Sequence, residues 1–280
     1  MVQRIMITIV LYATSLCLMS PLYSTIQQPW VIVLDPTDTL FRVDQSAIQG
    51  EVSDASTSFA GALYSFWHLS TNPQKDIEKG FLQLLQSFGT QQGNTAQLIR
   101  DQDHKPVPLI LVQWLSGQIT SKRLIAMLIE HSDDRVFKKI AKKAFDPYIL
   151  ARHTHIISGA LSFVVDCCAL VGANYVYITG NWDAESFQLL SADSPCKQLF
   201  TYIAASNRLI SGNSTLLLPR DARAIFTIIT QKTKVPYSNI LFVSNMEYHR
   251  IAAEALGIKT YAGNNLRLVL QQITKLCKPS

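Results

Sequence analysis

The chain has 280 residues, 48% of them hydrophobic and 16% charged, enough to bury a large core as one large domain or two smaller ones, which excludes a disordered protein. The net charge of +5 is modest. The densest basic stretch, RVFKKIAKK at residues 135–143, interleaves its charges with Val136, Phe137 and Ile140 as a solvated helix face does, so no nucleic-acid partner is expected.

At the N-terminus Arg4 precedes an uncharged, mostly apolar run over residues 5–19, followed by Pro21 and the small residue Ser24. Residues 1–24 read as a secretory signal peptide. The run falls short of the roughly 20 apolar residues that span a bilayer. An uncleaved anchor stays open as the alternative, because Leu22 and Ser24 would have to form the cleavage site. The expectation is an exported protein, periplasmic or secreted, that meets a membrane only through an uncleaved N-terminal segment. Export permits disulfides among Cys167, Cys168, Cys196 and Cys277, but no CxxC or paired histidine makes a zinc site. Adjacent Cys167 and Cys168 lie in an apolar helical stretch and read as buried thiols.

The first strong element is VIVLDPTDTLF at residues 31–41, an apolar, β-branched run that ends in Asp35 and turns polar. It reads as a buried parallel strand that releases the chain into a turn. A polar linker follows, and from residue 76 to about residue 150 the pattern is helical, with Thr120 as a cap and Phe145-Asp146-Pro147 as the stop. About a hundred residues therefore separate the first strand from the next, too many for a simple crossover, which predicts an inserted helical cap. Beyond it the spacing predicts a helix over 156–171, a strand over 175–179, a helix over 184–190 capped by Asp183 and a helix over 221–232. A strand over 240–243, a helix over 247–256 closed by Gly257, a strand over 258–261 and a helix over 264–276 complete the series. Alternating strands and helices predict an α/β fold: a Rossmann-like parallel sheet with flanking helices, interrupted by the cap. The expected division is a leader over 1–24, an α/β core over 25–43 and 151–280, and a helical cap over 44–150.

In such a sheet Asp35 after VIVL, Thr179 after YVYI and Ser244-Asn245 after ILFV arrive at neighbouring strand ends, where α/β proteins place their ligands. With TGNWDAESFQLL (179–190) and AAEALGI (252–258), these motifs resemble the haloacid dehalogenase (HAD-like) superfamily of phosphotransferases and hydrolases, in its form with a helical C1-type cap. The resemblance covers nearly everything after the leader. It implies Asp35 as the nucleophile that forms an aspartyl-phosphate, Thr37 at the acid/base position and Thr179 as the phosphate-holding hydroxyl. It further implies phosphate contacts from Thr39, Gly180 and Arg220, and a Mg²⁺ site on Asp35, Ser244 and Asn245 if the protein is active.

The departures from that pattern are chemical. Thr37 cannot shuttle a proton near neutral pH, although the P-type ATPases among the relatives also carry threonine there. Pro36 removes a backbone N–H from the turn, and Asp38 stands where the family usually has glycine. In SGNSTLLLPRDARAIF (211–226) Leu218 takes the place of the family lysine, with Arg220 two residues away. Ser244 and Asn245 replace the metal acids, His249 falls where an Asn or Asp often lies, and Glu247 reads as a helix opener. Neutral oxygens bind Mg²⁺ poorly. The other histidines, His68, His104, His131, His153 and His155, show no ligand spacing. The expectation is a degenerate, non-catalytic or very weak HAD-like protein serving as an exported binding or structural protein. The alternative is a divergent phosphatase or phosphotransferase that acts on a small phosphorylated molecule through Asp35.

Overall fold

The computed structural model describes residues 29–44, 109–115, 117–131, 133, 138, 141–143, 145–180, 182–192, 194–210 and 222–277. The leader, most of the expected cap and Arg220 lie outside these residues.

The sheet is built as the apolar runs require. Strand β1 (Val31–Leu34) lies at its centre and pairs in parallel with β4 (Val176–Gly180) on one side and β6 (Ile240–Val243) on the other. The short strands β5 (Arg208–Ile210) and β7 (Lys259–Tyr261) add at the two edges, also in parallel, to give the order β5-β4-β1-β6-β7. Every residue of β1, β4 and β6 is buried, as expected for parallel strands covered on both faces.

Alternation along each strand divides the core. Ile32, Leu34, Val176, Ile178, Leu241 and Val243 face one apolar cluster, shared with helices α4 (Ala160–Val171) and α9 (Leu266–Cys277). Val31, Val33, Tyr177, Ile240 and Phe242 face the other, shared with α7 (Ala222–Thr233) and α8 (Glu247–Glu254). The sequence places helices on both sides, and both sides are filled.

Several boundaries move from their sequence-based positions. The helix expected from residue 156 begins at Ala160, because Thr154–Ile156 forms strand β3 and Gly159 breaks the chain at φ +81°. β3 pairs antiparallel with β2 (Phe41–Val43), and the Asp44 N–H donates to the His153 carbonyl at 2.7 Å. The stretch expected to be linker from residue 42 thus starts as a ribbon. The chain between these strands leaves and returns through that ribbon. Helix α5 (Ala184–Ala192) opens on Asp183 as predicted, its carboxylate accepting the Ser186 N–H at 2.9 Å. Strand β5 was not foreseen; its three residues carry too little pattern to separate from a loop.

Between the ribbon strands run helices α1 (Leu109–Leu115), α2 (Ser121–Glu130) and α3 (Pro147–Arg152). Thr120 caps α2 by accepting the Arg123 N–H at 3.1 Å, as its sequence position predicts. No helix of the described residues is long and apolar enough to cross a membrane.

Candidate functional site

Period-two alternation continues past the strand ends. Asp35 follows Val33 on its face of β1, Thr179 follows Tyr177 and Ser244 follows Phe242, so all three polar residues belong to the face covered by α7 and α8. The ladder itself extends this far, since the Asp35 N–H donates to the Val243 carbonyl at 2.9 Å. Asp35, Thr179 and Ser244 are each buried. The three strand ends expected to share a site are neighbours in register.

After Asp35 the chain turns tightly. The Pro36 carbonyl accepts the N–H groups of Thr39, Leu40 and Phe41 at 3.3, 2.8 and 3.1 Å. Asp38 adopts φ +52°, the left-handed region that glycine enters freely and aspartate tolerates, which explains how it can stand at a position usually given to glycine. Gly180 serves this turn. A Cβ there would lie 3.3 Å from Pro36 Cδ, so the missing side chain lets the proline ring close against β4.

Thr37 donates its backbone N–H to Asp35 Oδ1 at 3.3 Å, and its hydroxyl accepts the Trp182 indole N–H at 3.1 Å. Trp182 in turn packs edge-on against Phe41, with ring centroids 5.2 Å apart. The Thr39 hydroxyl accepts the Asn245 N–H at 3.1 Å, and the Asn245 side-chain amide donates to the Asp38 carbonyl at 3.0 Å. Both groups bind the β1 turn to the end of β6.

The partners of Asp35 Oδ2 define the site. The Ser244 hydroxyl donates to it at 2.8 Å and also accepts the Met246 N–H at 3.1 Å. His249 Nδ1 lies 2.7 Å from the same oxygen. A carboxylate only accepts, so Nδ1 is the donor in this contact. His249 sits in the first turns of α8, opened by Glu247, and is itself buried. The next residue, Arg250, donates from Nη1 to the Ser244 carbonyl at 2.8 Å. Two buried atoms at this end of the sheet, Thr179 Oγ1 and His249 Nε2, have no hydrogen-bond partner.

The sequence marked His249 by its alignment position and missed its contact with Asp35. Trp182 was missed altogether, although it stands in the quoted TGNWDAE segment. Neither contact has a local signature: 145 residues separate Trp182 from Thr37, and 214 separate His249 from Asp35. Asp183 is buried beside the site loop, and burial raises its carboxyl to about 6 against opposing hydrogen bonds from Ser186. Among the described residues no group of three or more His, Cys, Asp or Glu side chains could hold a metal ion.

A five-stranded parallel sheet covered on both faces, with a carboxylate at the end of its central strand and hydroxyls on its two neighbours, defines an α/β protein of the Rossmann-like class. Solved structures place it further. A HAD family enzyme of Bacteroides thetaiotaomicron superimposes with a TM-score of 0.52 at 13% identity, over 84% of this chain and 94% of that one. An alanine mutant of that enzyme, in complex with magnesium and inorganic phosphate, gives 0.51 at 14% identity over 82% and 92%. A dehalogenase gives 0.51 at 17% identity over 91% and 100%. No sequence-family model matches the chain, and no curated protein is similar to it in sequence. The chain has the HAD-like fold.

Proposed function

We propose that this chain is a degenerate HAD-like protein, non-catalytic or very weak as a phosphotransferase, that acts as an exported binding or structural protein. The observation that carries this reading is the company of Asp35. Its turn supplies a threonine hydroxyl at position 37, already engaged by Trp182; the end of β6 supplies serine and asparagine; and the imidazole beside it, His249, is spent on Asp35 Oδ2 itself at 2.7 Å. Proton transfer needs a group that titrates near the working pH, and phosphoryl transfer needs positive charge on the transferred oxygens. Removing several cooperating members of such a site leaves little rate. Export rests on residues 1–24 alone, with their apolar run ahead of Pro21 and Ser24.

The assay is turnover of a panel of phosphomonoesters by the purified protein with Mg²⁺, with Asp35→Asn as control. Turnover at or near the control level is expected, and robust turnover that vanishes in Asp35→Asn overturns the reading.

One observation favours the alternative, a divergent phosphatase. The Thr179 hydroxyl is buried at the strand end without a partner, as a phosphate-binding hydroxyl would be before its ligand arrives. There Asp35 would attack phosphorus and expel the alcohol, and water would cleave the aspartyl-phosphate. The same assay decides between the two readings.

A further inference from the structure

HAD-like sites imply a divalent cation on the first-strand carboxylate, and the residues around Asp35 do not fit one. Mg²⁺ requires about six oxygen ligands at roughly 2.0–2.1 Å, with carboxylates among them. Here Asp35 Oδ2 is met by a hydroxyl hydrogen from Ser244 at 2.8 Å and by His249 Nδ1 at 2.7 Å. Two donors that point hydrogens at one oxygen offer their positive ends where a cation would have to sit. Ser244 and Asn245 bring no charge.

We infer that His249 takes the place of the divalent cation: its imidazole, with Ser244, satisfies the buried Asp35 carboxylate, so the folded protein neither needs nor binds Mg²⁺ at this site. The inference rests on the reading of the site as depleted and gives that depletion a mechanism. A buried carboxylate without a partner is strongly disfavoured. Loss of the metal acids alone would leave Asp35 with the Ser244 hydroxyl and the Thr37 N–H as donors, at 2.8 and 3.3 Å, whereas an imidazole reaching in from α8 adds a third at 2.7 Å. The exchange also accounts for a histidine buried at the opening of that helix.

The test uses the full chain and Mg²⁺ alone. Thermal melts in EDTA and in millimolar Mg²⁺ are expected to coincide for the wild type. His249→Asp, which returns a second carboxylate beside Asp35, is expected to melt roughly 2–3 °C higher once Mg²⁺ exceeds its Kd about tenfold. A Mg²⁺-dependent rise in the wild type that disappears in Asp35→Asn overturns the inference, as does a folded His249→Asp with no rise. Should that variant fail to fold, Ser244→Asp combined with His249→Asn moves the carboxylate to the other partner of Asp35 and is read in the same way. Failure of this inference and failure of the functional proposal are distinguishable. Phosphatase turnover that survives EDTA sinks the proposal alone, turnover that EDTA abolishes sinks both, and Mg²⁺ binding without turnover sinks the inference alone.

Discussion

Asp183 carries the sharpest consequence at the level of a single side chain. Its Oδ1 caps α5 through the Ser186 N–H at 2.9 Å, while its Oδ2 is buried with no partner. Burial disfavours the charged form and raises the carboxyl from 3.8 to about 6; the Ser186 hydrogen bonds oppose the rise and the nearby Glu185 charge adds to it. A carboxyl raised in the folded state binds its proton more tightly there than in the unfolded chain. Its contribution is therefore fully present below pH 3.8 and is lost as pH rises through about 6. At about 1.4 kcal/mol per unit, the loss by neutral pH is on the order of 3 kcal/mol. Asp183→Asn retains an oxygen that can cap the helix and has no charge to bury. Urea unfolding of both proteins between pH 4 and 7 should show the variant gaining steadily on the wild type as pH rises. A difference that stays constant across that range removes burial as the cause.

Among the elements, α2 has a start that depends on a distant residue. Its first turn leaves backbone N–H groups without helical partners, and the chain supplies two acceptors from different places. Thr120 accepts from Arg123, and Glu185 on α5 accepts the Ser121 N–H at 2.7 Å. The Ser121 hydroxyl accepts the Trp114 indole N–H at 3.0 Å, and Trp114 packs edge-on against Phe145 at 5.0 Å, so Ser121 joins α1, α2 and α5. Glu185→Ala should cost about 1–2 kcal/mol and speed amide exchange at residues 121–124 more than in α4 or β1. Uniform acceleration across the chain would instead mean that Glu185 contributes only to global stability. Half of this joint was legible in the sequence. A threonine ahead of an apolar-periodic run announces a cap, whereas a carboxylate that reaches across from another helix leaves no local trace. The same division runs through the candidate site. Asp35, Thr179 and Ser244 could be placed together because long apolar runs fix the central strands, and alternation fixes their faces. His249 and Trp182 could not, because side-chain reach across more than a hundred residues is decided by packing.

On the scale of the whole molecule, the legible part of the fold is the part with redundant signals. β1, β4 and β6 are buried throughout and apolar but for Thr179 and Gly180, while β2, β5 and β7 have three residues each and mixed burial, too little for period-two reasoning. That contrast predicts where the molecule opens first: edges and ribbon at low cost, the central strands and α4 only with the rest. The cysteines report on it. Cys167 on α4 and Cys196 before α6 (Lys197–Phe200) are fully buried in the cluster beneath β1. Cys168 and Cys277 are only half-buried. Burial raises all four thiols, Cys196 and Cys277 to about 11, so little thiolate exists at neutral pH in the folded state. With a disulfide reagent at pH 7.5 and reduced protein, Cys168 and Cys277 should react before Cys167 and Cys196, through local motions. Cys167 and Cys196 should follow at a single rate whose dependence on urea matches that of global unfolding. Mass mapping of the labelled peptides separates the sites. Labelling of Cys167 and Cys196 at different rates, or at rates indifferent to urea, would mean that the α4 side of the core opens piecemeal, and that the sheet and its covering helices do not unfold as one unit.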